Sequence, residues 1–363
     1  VKIGFVLDDG LDRTDGVQQY ILTLGDWLSS QGHQIHYLVG QTKRTDLKHL
    51  HSLSRNIFVR FNGNRMSIPL PTSTKAIKRL LDKEQFDVLH IQMPYSPFMA
   101  AKVIRLAPTG TALVGTFHIL PYGRLQTKGA QLLSWYLRST TKRLQKVWSV
   151  SQPAKAFASQ LGIASTVLPN VVNLQSFSHP DQKHQGFQLV FLGRLVERKG
   201  CAELLRAFEV VAEQLPDIHL RIGGSGPQAA KLQSWAKASG LEERVSFDGY
   251  IAEDKKAAYL GAADLAIFPS LGGESFGIIL LEAMASGSGA VLGGDNQGYS
   301  SVLESIPESL INPRDRAAFA KKIIDLATNE SQRNKIHLKQ QIMVKQFDVA
   351  VVGQKLLSYY KDL

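Results

Sequence analysis

The sequence predicts an α/β protein made of two parallel, doubly wound domains, and three observations carry that reading. The chain has 363 residues, enough for two buried cores in domains of about 150–200 residues. Short β-branched runs alternate with amphipathic helical stretches, the pattern of a parallel sheet covered on both faces. The alternation restarts after Pro169-Asn170. We therefore place an N-terminal domain at residues 1–170, a linker at 171–187 and a C-terminal domain at 188–345. A separate amphipathic helix at 346–363 is able to cross back to the first domain.

In the first half, Lys2–Leu7 reads as a strand and Gly16–Ser30 as a helix, with Val17, Tyr20, Ile21, Leu24 and Leu28 at helical spacing. Further strands are predicted at Gln34–Val39, Ile57–Phe61, Val88–Gln92, Ala112–Phe117 and Val147–Val150. Helices at Thr74–Lys83, Ser96–Leu106, Leu125–Gln145 and Pro153–Leu161 fill the gaps. In the second half, strands are predicted at Gln188–Leu192, Leu220–Ile222, Val245–Phe247, Leu265–Phe268 and Ala290–Leu292. Two Rossmann-like domains of this kind make a cleft, and open parallel sheets bind ligands at the carboxyl ends of their strands.

A hydrophobic fraction of 44% with 20% charged residues excludes a disordered chain. The single cysteine, Cys201, rules out an internal disulfide and points to a reducing, cytoplasmic setting. No apolar run reaches the roughly 18–20 residues that span a bilayer. Charge is unevenly placed: up to Asn173 there are 21 Lys and Arg against 9 Asp and Glu, while the remainder carries 21 against 22. Such asymmetry suggests that the first half faces an anionic partner rather than serving solubility alone. No aromatic-rich strand or recognition motif accompanies the charge, which speaks against nucleic acid and leaves a phosphorylated substrate or an anionic membrane surface. Lys75, Lys78, Arg79 and Lys83 share one helical face, with Ile77, Leu80 and Leu81 turned inward; Arg138, Lys142 and Lys146 form a second basic stripe.

The segment Gly272 to Gly287 carries most chemistry. A strand ends at Pro269, a glycine pair turns the chain, Ser275 is placed to cap, and a helix starts near Phe276. Free amides and the positive helix end then form an anion site. Glu274 lies just outside that helix, and Glu282 two turns along it amid apolar residues, where a carboxylate needs hydrogen-bond donors. Gly193 to Gly200 follows the second domain's first strand and brings Arg194 and Lys199 to the same edge, a fork and a point charge suited to a diphosphate. The next strand runs into Gly223, Gly224, Ser225, Gly226 and Pro227, with Pro227 at the first position of a helix; Gly224 to Ala229 also fits a dinucleotide fingerprint weakly. In the first domain, His118 closes the Gly115–His118 strand end, and Gly16 opens a helix where backbone approaches a ligand.

Taken together, Glu274 and Glu282 within GGESFGI, the GRLVERKG loop, FDVLHIQMP at Phe86–Pro94 and GTFH at Gly115–His118 resemble the retaining glycosyltransferases of the GT-B fold, family 4. Within these the chain looks like the phosphatidylinositol mannosyltransferases, and the resemblance spans nearly its whole length. The resemblance implies that Arg194 and Lys199 hold the donor diphosphate and that amides at Phe276, Gly277, Ile278 and Ile279 orient it. It implies that Glu274 meets the transferred sugar and Glu282 the ribose, with Gly226 also at the donor and the nucleobase near Tyr250–Lys256. Gly16 would leave room for phosphate, His118 would lie beside the reacting sugar, and Gln18, Asn62 and Arg65 would meet the inositol phosphate. No cofactor and no metal are implied: the donor is a nucleotide-sugar, GDP-mannose favoured, and the acceptor a membrane lipid reached from the cytoplasmic side.

Departures from that pattern fall at Asp15-Gly16, at Pro169 to Asn173, at Gly289 in place of a proline, and at Gln92–Pro97 on the acceptor side. The alternatives are a UDP-sugar donor with another acceptor, or an epimerase of the same fold. A nicotinamide-dependent oxidoreductase using Gly224–Ala229 and a silent carbohydrate-binding protein complete the set.

Overall fold

The computed structural model describes residues 1–12, 15–61, 64–94, 96–121, 124–177 and 186–363, the side chains at 58–61, 64–68 and 124–126 lying outside that description. Two compact units result: residues Val1–Val171 with Val349–Leu363, and residues Val172–Asp348.

The first unit is built on β1 (Lys2–Leu7), β2 (Gln34–Val39), β3 (Leu50–Ser52), the hairpin β4 (Asn56–Phe61) and β5 (Asn64–Pro69), then β6 (Val88–Gln92), β7 (Ala112–Phe117), β8 (Lys146–Ser149) and β9 (Thr166–Val167). Seven of these form a parallel sheet in the order β3-β2-β1-β6-β7-β8-β9. The predicted strand at Ile57–Phe61 lies outside that sheet: it pairs antiparallel with β5. The short edge strand β3 escaped the sequence reading because its Leu50-His51-Ser52 carries no apolar run. The helix expected at Ser96–Leu106 begins at Met99. Its first residues are drawn aside because Asp8, at the carboxyl end of β1, accepts from the Ser96 hydroxyl and the Ala100 amide.

Local signals account for several boundaries. Ser73 caps the helix Thr74–Glu84 by accepting from the Ala76 amide, and Gln85 ends it in the left-handed region at φ 49°. Ser151 caps Gln152–Gln160 in the same way, with a proline in its first turn. The C-terminal helix Val349–Lys361 belongs to the first unit, where Val352, Leu356 and Tyr360 join the core of Phe5, Tyr20, Leu24 and Trp148. Gly353 permits this docking, since a Cβ there would stand 2.5 Å from the Trp27 ring. The buried Tyr360 hydroxyl bonds His90 Nδ1 at 2.7 Å. Lys146 lies over the Tyr359 ring at 5.5 Å and so leaves the basic stripe assigned to it with Arg138 and Lys142.

The second unit holds β10 (Phe187–Leu192), β11 (Ile218–Gly223), β12 (Val245–Gly249), β13 (Leu265–Phe268), β14 (Ala290–Gly294) and β15 (Leu310–Ile311). They form a parallel sheet in the order β12-β11-β10-β13-β14-β15. The unit begins and ends at one place: Val172 and Asp348 pair, and the Val172 amide donates to Phe347 O at 3.0 Å. Gly289 is explained locally, because its amide donates to Ala263 O at 2.8 Å and a Cβ would meet Asp264 O at 1.9 Å. A proline would lose the bond and fill the forbidden space.

Candidate functional site

In the second unit the polar residues collect at the carboxyl ends of β10, β11 and β13. Gly193 N donates to Gly223 O at 3.1 Å, Leu195 N to Ser225 O at 2.9 Å and Gln228 N to Leu195 O at 3.0 Å, lacing the two glycine-containing loops together. A Cβ at Gly226 would stand 2.4 Å from Leu195 O, so this backbone contact requires glycine. Pro227 does not open the following helix, which starts at Ala229 with Gln228 before it. The turn spent on lacing the loops delays the helix by two residues.

Glu197–Lys199 form one turn of 3-10 helix, closed by Gly200 at φ 73°, where a Cβ would stand 1.9 Å from Pro269 O. That turn directs Arg198 and Lys199 to Glu274. Arg198 Nη1 donates to Glu274 Oε1 at 2.7 Å, Lys199 Nζ lies 2.8 Å from the same oxygen, and the Ser270 hydroxyl donates to it at 2.8 Å. Burial alone would raise the Glu274 pKa, but the Lys199 and Arg198 charges with the Lys199 and Ser270 hydrogen bonds outweigh it and hold it at about 2. Arg194 stands close enough for its charge to act on Lys199. Arg194, Arg198 and Lys199 outnumber Glu274 and the exposed Glu197 of the same turn, which leaves this strand edge positive. Arg198 and Ser270 were absent from the sequence assignment; the signal for Arg198 was its place in a triplet that one tight turn turns toward a single side.

The helix after β13 begins at Ile278, not near Phe276, and its N-cap is Gly277 at φ 111°, with no capping side chain. The expected Ser275 cap is therefore replaced: Tyr299 packs where a Cβ of residue 277 would go, at 2.4 Å, and only glycine makes that turn. The Phe276 ring is buried edge-on against Phe347 at 5.6 Å, so what this segment offers a ligand is backbone, the first-turn amides at Gly277, Ile278 and Ile279. Glu282 is 3% exposed, and Lys256 Nζ donates to its Oε1 at 3.1 Å. Lys256 also pairs with Glu253 at 2.7 Å. Burial lowers the Lys256 pKa less than Glu282 and Glu253 raise it, and the ammonium stays charged. Lys256 falls at the end of the stretch expected beside the nucleobase, but its pairing with Glu282 was missed from sequence.

In the first unit, Gly16 starts the helix Gly16–Ser30, and buried Gln18 donates to Gly10 O at 3.3 Å and Asp9 Oδ2 at 3.4 Å, fastening the loop after β1. His118, just past β7, is buried, with Nε2 2.7 Å from Gln92 Oε1 and its ring edge-on to Tyr20 at 5.1 Å. Burial pushes its pKa down to about 3. The ring is neutral at pH 7, Nε2–H donates to Gln92, and Nδ1 is left as an acceptor. Gln92, expected on the acceptor side but not as a partner of His118, thus sets the His118 tautomer. Asp8 is a second omission: burial, against its Ser96 and Ala100 hydrogen bonds, raises its pKa to about 6. Asn62 lies outside the described residues, as does the side chain of Arg65, whose backbone pairs with Arg60 in the β4–β5 hairpin.

Comparison with known proteins adds three findings. Residues 14–176 match Glycosyltransferase Family 4, and residues 175–341 match Glycosyl transferases group 1. The chain is 30% identical to the phosphatidyl-myo-inositol mannosyltransferase of Mycobacterium leprae across 372 aligned residues, covering 100% of this chain and 97% of that protein. Among solved structures, it is similar to a sucrose-phosphate synthase from Thermosynechococcus elongatus, with a TM-score of 0.78, 19% identity and coverage of 99% and 98% of the two chains. It is also similar to HepE from Anabaena in complex with UDP and glucose, at a TM-score of 0.75 and 18% identity over 100% of both chains.

Proposed function

The chain belongs to the family 4, group 1 glycosyltransferases of the GT-B fold, and from that premise we propose that it is a retaining mannosyltransferase moving mannose from GDP-mannose to an inositol hydroxyl of phosphatidylinositol. The observation that carries this reading is the end-to-end likeness to phosphatidyl-myo-inositol mannosyltransferases, joined to the positive strand edge around Glu274.

Cleavage of the sugar–phosphate bond leaves negative charge on the nucleoside diphosphate. Arg194, Arg198, Lys199 and the amides at Gly277–Ile279 are the groups in this chain that receive it. A donor of this kind is worth about 2.7–4 kcal/mol of transition-state stabilisation. Glu274 has a dual part: it holds two of the cations and presents its remaining acceptor capacity to sugar hydroxyls. The leaving diphosphate takes the proton of the attacking hydroxyl on the same face, which retains the anomeric configuration. His118, neutral and with Nδ1 as acceptor, orients a hydroxyl and does not donate a proton. Glu282, held by Lys256, is the ribose acceptor.

The lipid acceptor gives the first unit's charge a use. Lys75, Lys78, Arg79 and Lys83 are exposed on Thr74–Glu84, while Ile77 and Leu81 are buried. The helix Arg124–Thr141 adds an apolar face the sequence reading did not find: Leu132, Trp135 and Tyr136 are 69%, 73% and 66% exposed, flanked by exposed Lys128, Arg138 and Lys142. Aromatic and leucine side chains bordered by basic residues suit the interface of an anionic bilayer, where each basic residue contributes about 1 kcal/mol. Among the described residues no helix is long and apolar enough to cross a membrane, so attachment would be to the surface.

The test is a transfer assay with phosphatidylinositol vesicles and a panel of GDP-, UDP- and ADP-sugars. Mannose should move from GDP-mannose, and Glu274→Ala and Lys199→Ala should abolish transfer while unfolding stays cooperative. Consumption of a nucleotide-sugar without any acceptor would instead indicate an epimerase. Sedimentation with vesicles should depend on anionic lipid and weaken with salt and in Trp135→Ala/Tyr136→Ala; indifference to all three would remove the membrane surface from the reading.

A further inference from the structure

Glycosyl transfer makes no use of a histidine cluster at the edge of the seven-stranded sheet. His36 comes from β2, His51 from the edge strand β3, and Glu84 from the last turn of Thr74–Glu84. One ligand atom from each lies within 4.8 Å of the others. The place is apart from the first unit's functional edge: His36 pairs with Gly4, inside β1, whereas Asp8 follows the end of that strand four residues on.

His36 is 1% exposed, and its two ring nitrogens are in different situations. Nδ1 lies 3.0 Å from His51 Nε2. Nε2 is buried without a hydrogen-bond partner, facing Glu84 Oε2 at 3.9 Å, beyond hydrogen-bond reach. Either tautomer leaves a defect. If Nδ1 carries the proton, a bare Nε2 lone pair faces a carboxylate; if Nε2 carries it, the N–H falls short of its acceptor. A cation beside Nε2 and Glu84 removes the defect at that nitrogen, which is otherwise costly when buried, and requires His51, which stands at Nδ1, to turn toward it. His49 stacks on His36 at 4.4 Å with a positive φ of 53°, and Phe86 meets the same ring edge-on at 5.1 Å, so the imidazole is held in place.

We infer that His36, His51 and Glu84 form a binding site for one divalent transition-metal ion of Zn2+ type. Two imidazoles and a carboxylate suit Zn2+ and its neighbours, whereas Mg2+ and Ca2+ prefer all-oxygen shells. The ion ties the edge strand β3 to the end of Thr74–Glu84 and acts on stability rather than on transfer. It has a resident competitor: Lys2 Nζ lies 3.3 Å from Glu84 Oε2, and also donates to the Glu84 carbonyl at 2.6 Å. Lys83 Nζ stands 3.6 Å from Glu84 Oε1. Both ammonium groups oppose a metal charge, so removing Lys2 should strengthen binding.

The experiment is titration of chelator-stripped, full-length protein without a histidine tag, using ZnCl2 alone, read by calorimetry and by thermal unfolding. One equivalent should bind and raise the midpoint, with MgCl2 inert. His51→Ala and Glu84→Gln should each weaken binding tenfold or more, and Lys2→Met should tighten it. Circular dichroism checks each fold, and Glu84→Gln alone suffices if His51→Ala does not fold. Absence of saturable binding, or equal binding in wild type and Glu84→Gln, would overturn the assignment.

Discussion

Arg198 donates to Glu274 at 2.7 Å across the turn that Gly200 closes, and the oxygen it reaches is the one Lys199 also reaches. The carboxylate therefore organises the two cations as well as meeting substrate. Glu274→Gln keeps the shape but removes the charge that holds neighbouring like charges together. Transfer should fall about 100- to 1,000-fold, the usual loss for one preorganised electrostatic contact. Arg198→Ala should lose activity on a similar scale although no motif singled it out, with steady-state kinetics under saturating donor as the check. Wild-type turnover in Arg198→Ala would remove it from the machinery.

Glu282 and Lys256 make the second buried pair, at 3.1 Å, with side chains 4% and 11% exposed. Breaking such a pair from one side leaves an uncompensated charge and costs about 3–5 kcal/mol. Lys256→Met should lower stability by that amount, and adding Glu282→Gln should restore most of it. Chemical denaturation of the two single variants and the double variant measures this coupling. Donor binding should stay weak in the double variant, because the ribose acceptor has lost its charge.

How far these sites were legible depended on whether local chain chemistry carried them. Gly226 was readable because glycine just past a strand's carboxyl end marks a turn, and Leu195 fills the space beside it; Gly200 and Gly277, where Pro269 and Tyr299 do the same, lie eight and nine residues past their strands and carried no such signal. The parallel sheets followed from continuous apolar runs. What escaped were pairings between distant segments: Arg198 with Glu274, Lys256 with Glu282, and Gln92 with His118 are separated by 76, 26 and 26 residues. Helix starts at Ile278 and Met99 also moved, because Tyr299 packing and the Asp8 hydrogen bonds outrank local capping preference.

Buried histidines should make the protein acid-sensitive. Burial, with the His118 charge adding, pushes the His90 pKa down to about 3, and burial does the same for His118. The unfolded chain takes up these protons near pH 6.5, well before the folded state does. Stability from both groups is thus complete above about pH 6.5 and is lost as pH falls toward 3. Urea unfolding between pH 7 and 4.5, a window above the titration of Glu274, should show this decline. His118→Gln should reduce the proton uptake on unfolding by about one, with potentiometric or calorimetric measurement as the readout.

Asp8 works in the opposite sense across part of the same range. Its pKa is raised to about 6 by burial, against the Ser96 and Ala100 hydrogen bonds, so the folded state binds a proton that the unfolded chain has already released. Its stabilising effect is fully present below about pH 4 and is lost as pH rises through 6. Asp8→Asn keeps an acceptor for the Ala100 amide and offers a donor to Ser96, with no charge to bury. The variant should therefore gain stability relative to wild type above pH 6 and match it near pH 4. Its stability should also rise more steeply with pH between 4.5 and 6, since the histidine contribution is then unopposed. Parallel slopes for the two proteins would mean that Asp8 titrates normally and that its burial has no energetic consequence.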